Sequence, residues 1–208
     1  MNTVFKPGLY AITPQRYPDG DRLVREVRLA LEGGAAMIQF RDKSQDQAWR
    51  GTVAAALKAV CDEFGASLII NDDVRLVEEV GAAGVHLGKD DGPASLARSR
   101  LGPHRLIGVS CYDSLDRARA AVAESADCIA FGSVFPSATK PGAVHCPLSV
   151  ITEARKLGLP VVAIGGITPD NGRAVIEAGA SSLAVISAVF DVPDIRRAAE
   201  SFSSLWAG

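Results

Sequence analysis

Charged and amide side chains close short apolar runs along this chain. Gln39-Phe40-Arg41-Asp42-Lys43 follows Ala36-Met37-Ile38, and Asn71-Asp72-Asp73 follows Ser67-Leu68-Ile69-Ile70. Asp90-Asp91 lies just past Gly84-Val85-His86-Leu87-Gly88. Ser110 closes Leu106-Ile107-Gly108-Val109, and Thr139-Lys140 lies beyond Cys128-Ile129-Ala130-Phe131. Brought to one end of a sheet, these cations and carboxylates suit a metal-bridged phosphate ligand. Arg41 and Lys43 have the parity of Gln39, since alternate strand residues face one way. An amide and two cations on one face can grip a phosphate, the guanidinium as a bidentate fork and the ammonium as a point charge. Asp72 and Asp91 follow consecutive runs. Adjacent strands lie ~4.8 Å apart, so one carboxylate from each could reach a common Mg2+ at ~2.1 Å. Plainer readings stay open beside this one: Asp73 as a helix N-cap, and Asp90-Asp91 as a solvated loop.

Two later stretches add to the pattern. Ala163-Ile164-Gly165-Gly166-Ile167-Thr168-Pro169-Asp170 ends a seventh apolar run, and Ile186-Ser187 ends an eighth. Loops after the seventh and eighth strands of eight-fold barrels commonly bind phosphate; a Gly-Gly tight turn is the alternative. No nucleophile–base pair suggests itself, because Ser110, Cys111, His86, His104 and His145 form no evident triad. Chemistry run by a leaving group and a metal is favoured over covalent catalysis.

The elements that must position these groups are legible from periodicity. Strand-like runs cover Leu9 to Thr13, Met37 to Asp42, Leu68 to Asp73, Val85 to Gly88, Leu106 to Cys111, Cys128 to Phe135, Val161 to Gly166 and Leu183 to Ser187. Their near-continuous apolar character predicts strands covered on both faces. A helical candidate follows each, the last from Asp194 to Trp206. Leu23, Val24, Val27, Ala30 and Leu31 make one apolar face, and Leu115, Ala118, Ala121 and Val122 another. A small residue followed by Ala (Gly34-Ala35, Gly65-Ala66, Gly81-Ala82, Ser125-Ala126, Gly179-Ala180) marks the helix-to-strand joints. Strict β-α alternation predicts an α/β fold: a single (β/α)8 TIM barrel over residues 1–208 as one catalytic domain. An open doubly wound sheet is weaker without a G-x-G-x-x-G turn. Pro136 to Pro147 is the longest irregular stretch and predicts a loop over the site.

Composition narrows the function classes. Of 208 residues, 48% are hydrophobic, and 22 Lys and Arg against 24 Asp and Glu give a net charge of -2. That balance argues against nucleic acid as a partner. Cys61, Cys111, Cys128 and Cys146 lack C-x-x-C spacing and read as buried free thiols. The scattered histidines propose no zinc site. The start of the chain has no signal-like apolar core, and no apolar run approaches ~20 residues. No membrane and a reducing, cytoplasmic setting are expected.

Taken in order, these segments resemble the thiamine-phosphate synthase family. The matching pieces include Leu9-Tyr10-Ala11-Ile12-Thr13, Ile38-Gln39-Phe40-Arg41-Asp42-Lys43, Ile70-Asn71-Asp72-Asp73-Val74, Gly84-Val85-His86-Leu87-Gly88 and Ile107-Gly108-Val109-Ser110-Cys111. Phe131-Gly132-Ser133-Val134-Phe135-Pro136, Thr139-Lys140-Pro141 and Val162 to Pro169 complete the set. The resemblance implies a (β/α)8 barrel that joins hydroxymethylpyrimidine diphosphate to thiazole phosphate, releasing diphosphate and thiamine monophosphate. It implies that Gln39, Phe40, Arg41, Asp42, Lys43, Asn71, Ser110 and Lys140 hold the pyrimidine diphosphate, with Arg41, Lys43, Ser110 and Lys140 catalytic. Ser137, Ala138, Thr139, Gly166, Ile186 and Ser187 would hold the thiazole phosphate, and Asp72 and Asp91 would bind Mg2+. Three positions depart from the pattern: Ser137 where Thr is frequent, Asp90 where Glu is usual, and Tyr112 where many members have His. Small-molecule substrates are the expected partners, and a homo-oligomer is left open. The alternatives are a thiazole tautomerase-like isomerase and a non-catalytic regulator that binds thiazole phosphate.

Overall fold

Eight strands pair in parallel and in chain order, and the eighth returns to the first, closing a barrel. They are β1 (Gly8–Ile12), β2 (Met37–Phe40), β3 (Ser67–Asn71), β4 (Gly84–Leu87), β5 (Leu106–Tyr112), β6 (Cys128–Phe131), β7 (Val161–Ile164) and β8 (Ser182–Val185). Helices α1 (Gly20–Glu32), α2 (Gln47–Glu63), α3 (Val74–Val80), α4 (Ala94–Leu101), α5 (Leu115–Ala123), α6 (Leu148–Ala154) and α7 (Pro169–Glu177) separate them. A one-turn helix α8 (Ser187–Phe190) and then α9 (Ile195–Ser203) follow β8. The computed structural model describes residues 5–15, 19–44, 46–136 and 144–207. The expected (β/α)8 barrel is what the chain forms.

Strand alternation divides the apolar residues between two cores. Tyr10, Met37, Ile69, Leu106, Cys128 and Val162 point into the barrel. Their chain neighbours Leu9, Ile38, Leu68, Ile107, Ile129 and Val161 pack outward against the helices. Both sets are buried, which is why the strands read as unbroken apolar runs. The cysteines are all free and buried.

Local signals set the ends of the helices. Asp19, Asp46, Asp73, Ser114 and Asp194 each accept a bond from the backbone N–H three residues on, a cap worth ~1 kcal/mol. At the other ends, Gly34, Gly65, Gly81, Ser125 and Gly179 have φ of 91°, 63°, 67°, 66° and 115°. All the predicted joints therefore take the left-handed side of φ that lets a helix close.

The structure corrects several boundaries. β6 ends at Phe131 rather than Phe135, because the following residues divide their bonds between β7 and the segment at Val144. Ser133 N–H donates to the Val144 carbonyl (3.0 Å), and Val134 N–H donates to that of Ile164 (3.0 Å). β2 ends at Phe40 and β3 at Asn71, so Arg41 to Lys43 and Asp72-Asp73 lie in loops. Ser187 opens α8 instead of ending a strand. On α5, Ala118 and Ala121 are buried, whereas Val122 is exposed and leaves the predicted face. Of the irregular stretch Pro136 to Pro147, residues 137–143 lie outside the described residues.

Candidate active site

Parallel strands bring all their C-terminal ends to one rim, and the charged residues gather there. At the end of β2, Gln39 turns inward. It is 3% exposed, and its Nε2 donates to the Tyr10 hydroxyl at 2.9 Å. Arg41 N–H donates to Thr13 Oγ1 (2.9 Å) and its guanidinium to Gln15 Oε1 (3.1 Å). Asp42 shapes the loop by accepting from Ser44 N–H at 2.8 Å. Phe40, also expected at the site, buries its ring in the outer core, 6.3 Å from that of Trp49. The parity argument stops at Phe40, where the strand ends. Lys43 reaches the rim by another route, with Nζ 2.6 Å from Asp72 Oδ2.

The two candidate metal carboxylates lie side by side. Asp72 follows β3 with φ 63°, a left-handed conformation that Asp tolerates better than most side chains. Its N–H is held by the His86 carbonyl at 2.9 Å. Asp91 folds back so that Gly88 N–H donates to its Oδ2 at 2.7 Å. Lost hydration pushes the Asp91 carboxyl up, and a hydrogen-bonding contact with Asp72 pushes it the same way against Gly88 N–H and Lys43. Such crowding of like charge suits a divalent cation. Among the described residues no group of three or more His, Cys, Asp or Glu could hold a metal. Two carboxylates fit Mg2+, which commonly takes one or two from the protein and fills its octahedron with phosphate oxygens and water. Asp73 takes the plainer role, capping α3 through Leu76 N–H (3.0 Å) and pairing with Arg50 (3.0 Å). Asp90 is exposed in the turn before Asp91.

Ser110, near the end of β5, has a partner that sequence reasoning missed. Its Oγ lies 2.9 Å from Nε2 of His86 on β4. Burial pushes the His86 imidazole down to about 4, with Asp72 opposing weakly, so the ring is neutral at neutral pH. A serine–imidazole contact therefore stands at the rim, where the sequence suggests no such pair. Two signals were available: His86 is the polar member of an otherwise apolar run, and Gly108 stands opposite it in register. Asn71, in register with His86 on its other side, is half-buried at the same rim.

The remaining predicted residues fall in two groups. Gly166 has φ 60°, and a Cβ there would run into the Pro136 carbonyl oxygen and lie 2.8 Å from Phe135 Cβ. It thus lets the turn after β7 press against the segment after β6, where Phe135 N–H also donates to the Gly165 carbonyl (3.0 Å). Asn171 Nδ2 ties the Gly166 carbonyl to α7 at 3.0 Å. Ile186 and Ser187 are half-buried at the start of α8. Ser137, Ala138, Thr139 and Lys140 lie outside the described residues. Tyr112 ends β5 with φ 58°, and its exposed ring meets the Arg117 guanidinium at 5.4 Å.

A family model described as thiamine monophosphate synthase matches residues 9–189. The thiamine-phosphate synthase of Thiobacillus denitrificans is 52% identical over 98% of this chain and 96% of its own. That of Nitrosococcus oceani is 51% identical over 94% and 90%. Among solved structures, a thiamine phosphate pyrophosphorylase from Pyrococcus furiosus superposes with a TM-score of 0.86 at 37% identity, covering 95% of this chain and 94% of that one. An orotidine 5'-phosphate decarboxylase from Pyrococcus horikoshii superposes at 0.70 with 17% identity, a likeness of fold alone.

Proposed function

This chain belongs to the thiamine monophosphate synthase family, and from that premise we propose that it transfers a pyrimidinylmethyl group from hydroxymethylpyrimidine diphosphate to thiazole phosphate. The bond from the pyrimidine methylene carbon to the diphosphate oxygen breaks. The thiazole ring nitrogen then bonds to that carbon, giving thiamine monophosphate and free diphosphate. The observation that carries the reading is the convergence of Lys43, Asp72 and Asp91 at the rim that also holds Arg41 and Ser110.

Charge builds on the leaving oxygens as the bond breaks, and preorganised cations and donors lower that barrier. Arg41 offers a fork held by Gln15, Lys43 a point charge, and Ser110 a hydroxyl. Lys140 is assigned the same duty on its motif. Asp72 and Asp91 would hold Mg2+, whose bound charge neutralises diphosphate oxygens. Gln39 and Asn71 orient the pyrimidine. Ser137, Ala138, Thr139, Gly166, Ile186 and Ser187 are assigned the thiazole phosphate. Alignment of two substrates supplies the rest, which is why the enzyme needs no nucleophile of its own.

The test incubates the chain with both substrates and Mg2+ and looks for thiamine monophosphate and diphosphate. A second arm supplies the thiazole tautomer alone. Condensation with little isomerisation is expected, since the Tyr112 phenol stands where the tautomerase branch carries an imidazole and is a poor proton shuttle at neutral pH. Fast isomerisation without condensation would overturn the reading.

A further inference from the structure

Ser110 and His86 resemble the start of a nucleophile–base pair, and the position of one proton decides what they are. If the imidazole proton sits on Nδ1, Nε2 accepts from the serine hydroxyl and Ser110 is an incipient nucleophile. If it sits on Nε2, the imidazole donates to Ser110 Oγ, and the serine proton is free to point elsewhere.

Nδ1 is buried and has no hydrogen-bond partner among the described residues. A nucleophile–base pair has a carboxylate or carbonyl at this nitrogen to receive its proton. Here the ring edge instead meets Gly108, where an added Cβ would lie 2.7 Å from Nδ1 and 3.0 Å from Cys128 Sγ. Beside it is a cavity of about 10 Å³ lined by His86, Gly108, Tyr10, Cys128 and apolar neighbours, at the lower limit for a single water. Its other polar side chains both have a proton to give. The Cys128 thiol is held protonated by burial. The Tyr10 oxygen already accepts from Gln39, leaving its own O–H as a donor. Nδ1 therefore meets no acceptor among the described residues, and a proton placed there would be a buried, orphaned N–H, the rarer and costlier defect.

We propose that His86 is a positioning residue that carries its proton on Nε2, donates it to Ser110 Oγ, and so presets the serine as a hydrogen-bond donor toward the departing diphosphate. The inference rests on the condensation proposed above, in which Ser110 touches that group. Gly108 belongs to the device, because only a residue without a side chain leaves room for the ring. Ser110 then stabilises charge and forms no covalent bond, in keeping with the missing third member of a triad.

Two experiments test it on the full chain. In the first, imidazole 15N spectra of the wild-type protein, assigned with His86→Gln, should give a protonated Nε2 and a bare Nδ1 for this residue. An Nδ1-protonated ring would overturn the proposal, whatever the variants do. In the second, His86→Leu should lower kcat about tenfold, with KM for thiazole phosphate unchanged. His86→Gln, which restores an N–H near the Nε2 position, should recover most of the loss. Combining His86→Leu with Ser110→Ala should cost no more than Ser110→Ala alone, because residues acting through one another are not additive. Additive losses would overturn the proposal. If the wild-type chain forms no thiamine monophosphate, the condensation reading fails, and the spectrum still decides the tautomer.

Discussion

At the rim where the strands begin, Arg98 donates to the carbonyls of Gly102 (2.8 Å), Arg105 (2.8 Å) and Ser125 (3.1 Å) and pairs with Asp127. Arg105 donates to the carbonyls of Gly81 and Ala82, and Asp127 also accepts from Ile107 N–H at 2.7 Å. At the rim where the strands end, Lys43 meets Asp72, and Asp72 meets Asp91. Similar residue types serve both rims. Below, each charge satisfies backbone groups that the joints before β4, β5 and β6 would otherwise leave unpaired. Above, charges face one another, and the Asp91 carboxyl is pushed up by lost hydration and then by Asp72. The lower arrangement pairs its charges with backbone groups, whereas the upper one is where the proposed cation and diphosphate would relieve the crowding. On the proposed function, stability is concentrated at one end and reactivity at the other.

The largest effect should come from the upper rim. Asp72→Asn or Asp91→Asn should cut turnover by about 100- to 1,000-fold, the loss typical of removing one electrostatic contact to developing charge. The urea midpoint should barely move, since both side chains are partly solvated. Steady-state kinetics with Mg2+, beside an unfolding curve, check both halves. Near wild-type kcat in both variants would erase the difference between the rims.

Arg98→Met should do the reverse. It strands Asp127 and several carbonyls, which should lower unfolding free energy by about 2–3 kcal/mol while turnover per folded molecule stays put. Urea denaturation with a parallel assay reads this directly. A fall in kcat without a fall in stability would mean that the lower rim also serves the chemistry.

Alkali separates the barrel wall from both rims. Burial pushes the thiols of Cys61, Cys111 and Cys128 from 9.0 to about 12. Their folded values are raised, so their contribution to stability is complete below pH 9 and is lost as pH rises from there toward 12. Each thiol should steepen the loss by about 1.4 kcal/mol per pH unit in that window. Unfolding curves for Cys128→Ala at several alkaline pH values should have a shallower slope than wild type. An unchanged slope would move the alkaline weakness from the wall to a rim.

The smallest effect is the most pointed. Asp72 holds a left-handed φ of 63° at the upper rim. Asp72→Gly should leave stability unchanged or raise it by up to ~1 kcal/mol, because glycine adopts that conformation without strain. Turnover should fall as it does in Asp72→Asn. A clear loss of stability would show that Asp72 is part of the frame.

Gly166 shows why a site-directed test needs the structure. From the sequence, Gly166→Val looks like a probe of phosphate binding. In the fold, a side chain there collides with the Pro136 carbonyl at a φ of 60°, so the substitution would first prise apart the segments after β6 and β7. Ser187→Ala, on a half-buried residue, is the cleaner probe of the same subsite. Asp73 makes the opposite case. Its N-cap duty follows from its place before an apolar helical stretch and needs only local bonds.

What the sequence determined by itself is whatever depends on near neighbours along the chain. Alternating strands and helices, the five left-handed joints, the Asp73 cap and the placing of Gln39, Asn71 and Ser110 toward the ends of their strands all follow from period and turn chemistry. Tertiary structure decided the contacts between strands. The bond from His86 to Ser110, the bridge from Lys43 to Asp72 and the closeness of Asp72 to Asp91 depend on register around a closed barrel. So does the end of β6 at Phe131, after which Ser133 bonds Val144 while Val134 still bonds Ile164 of β7. Periodicity tells which way a side chain points but not how far one strand has slid along the next, and only closure of all eight strands sets that slide.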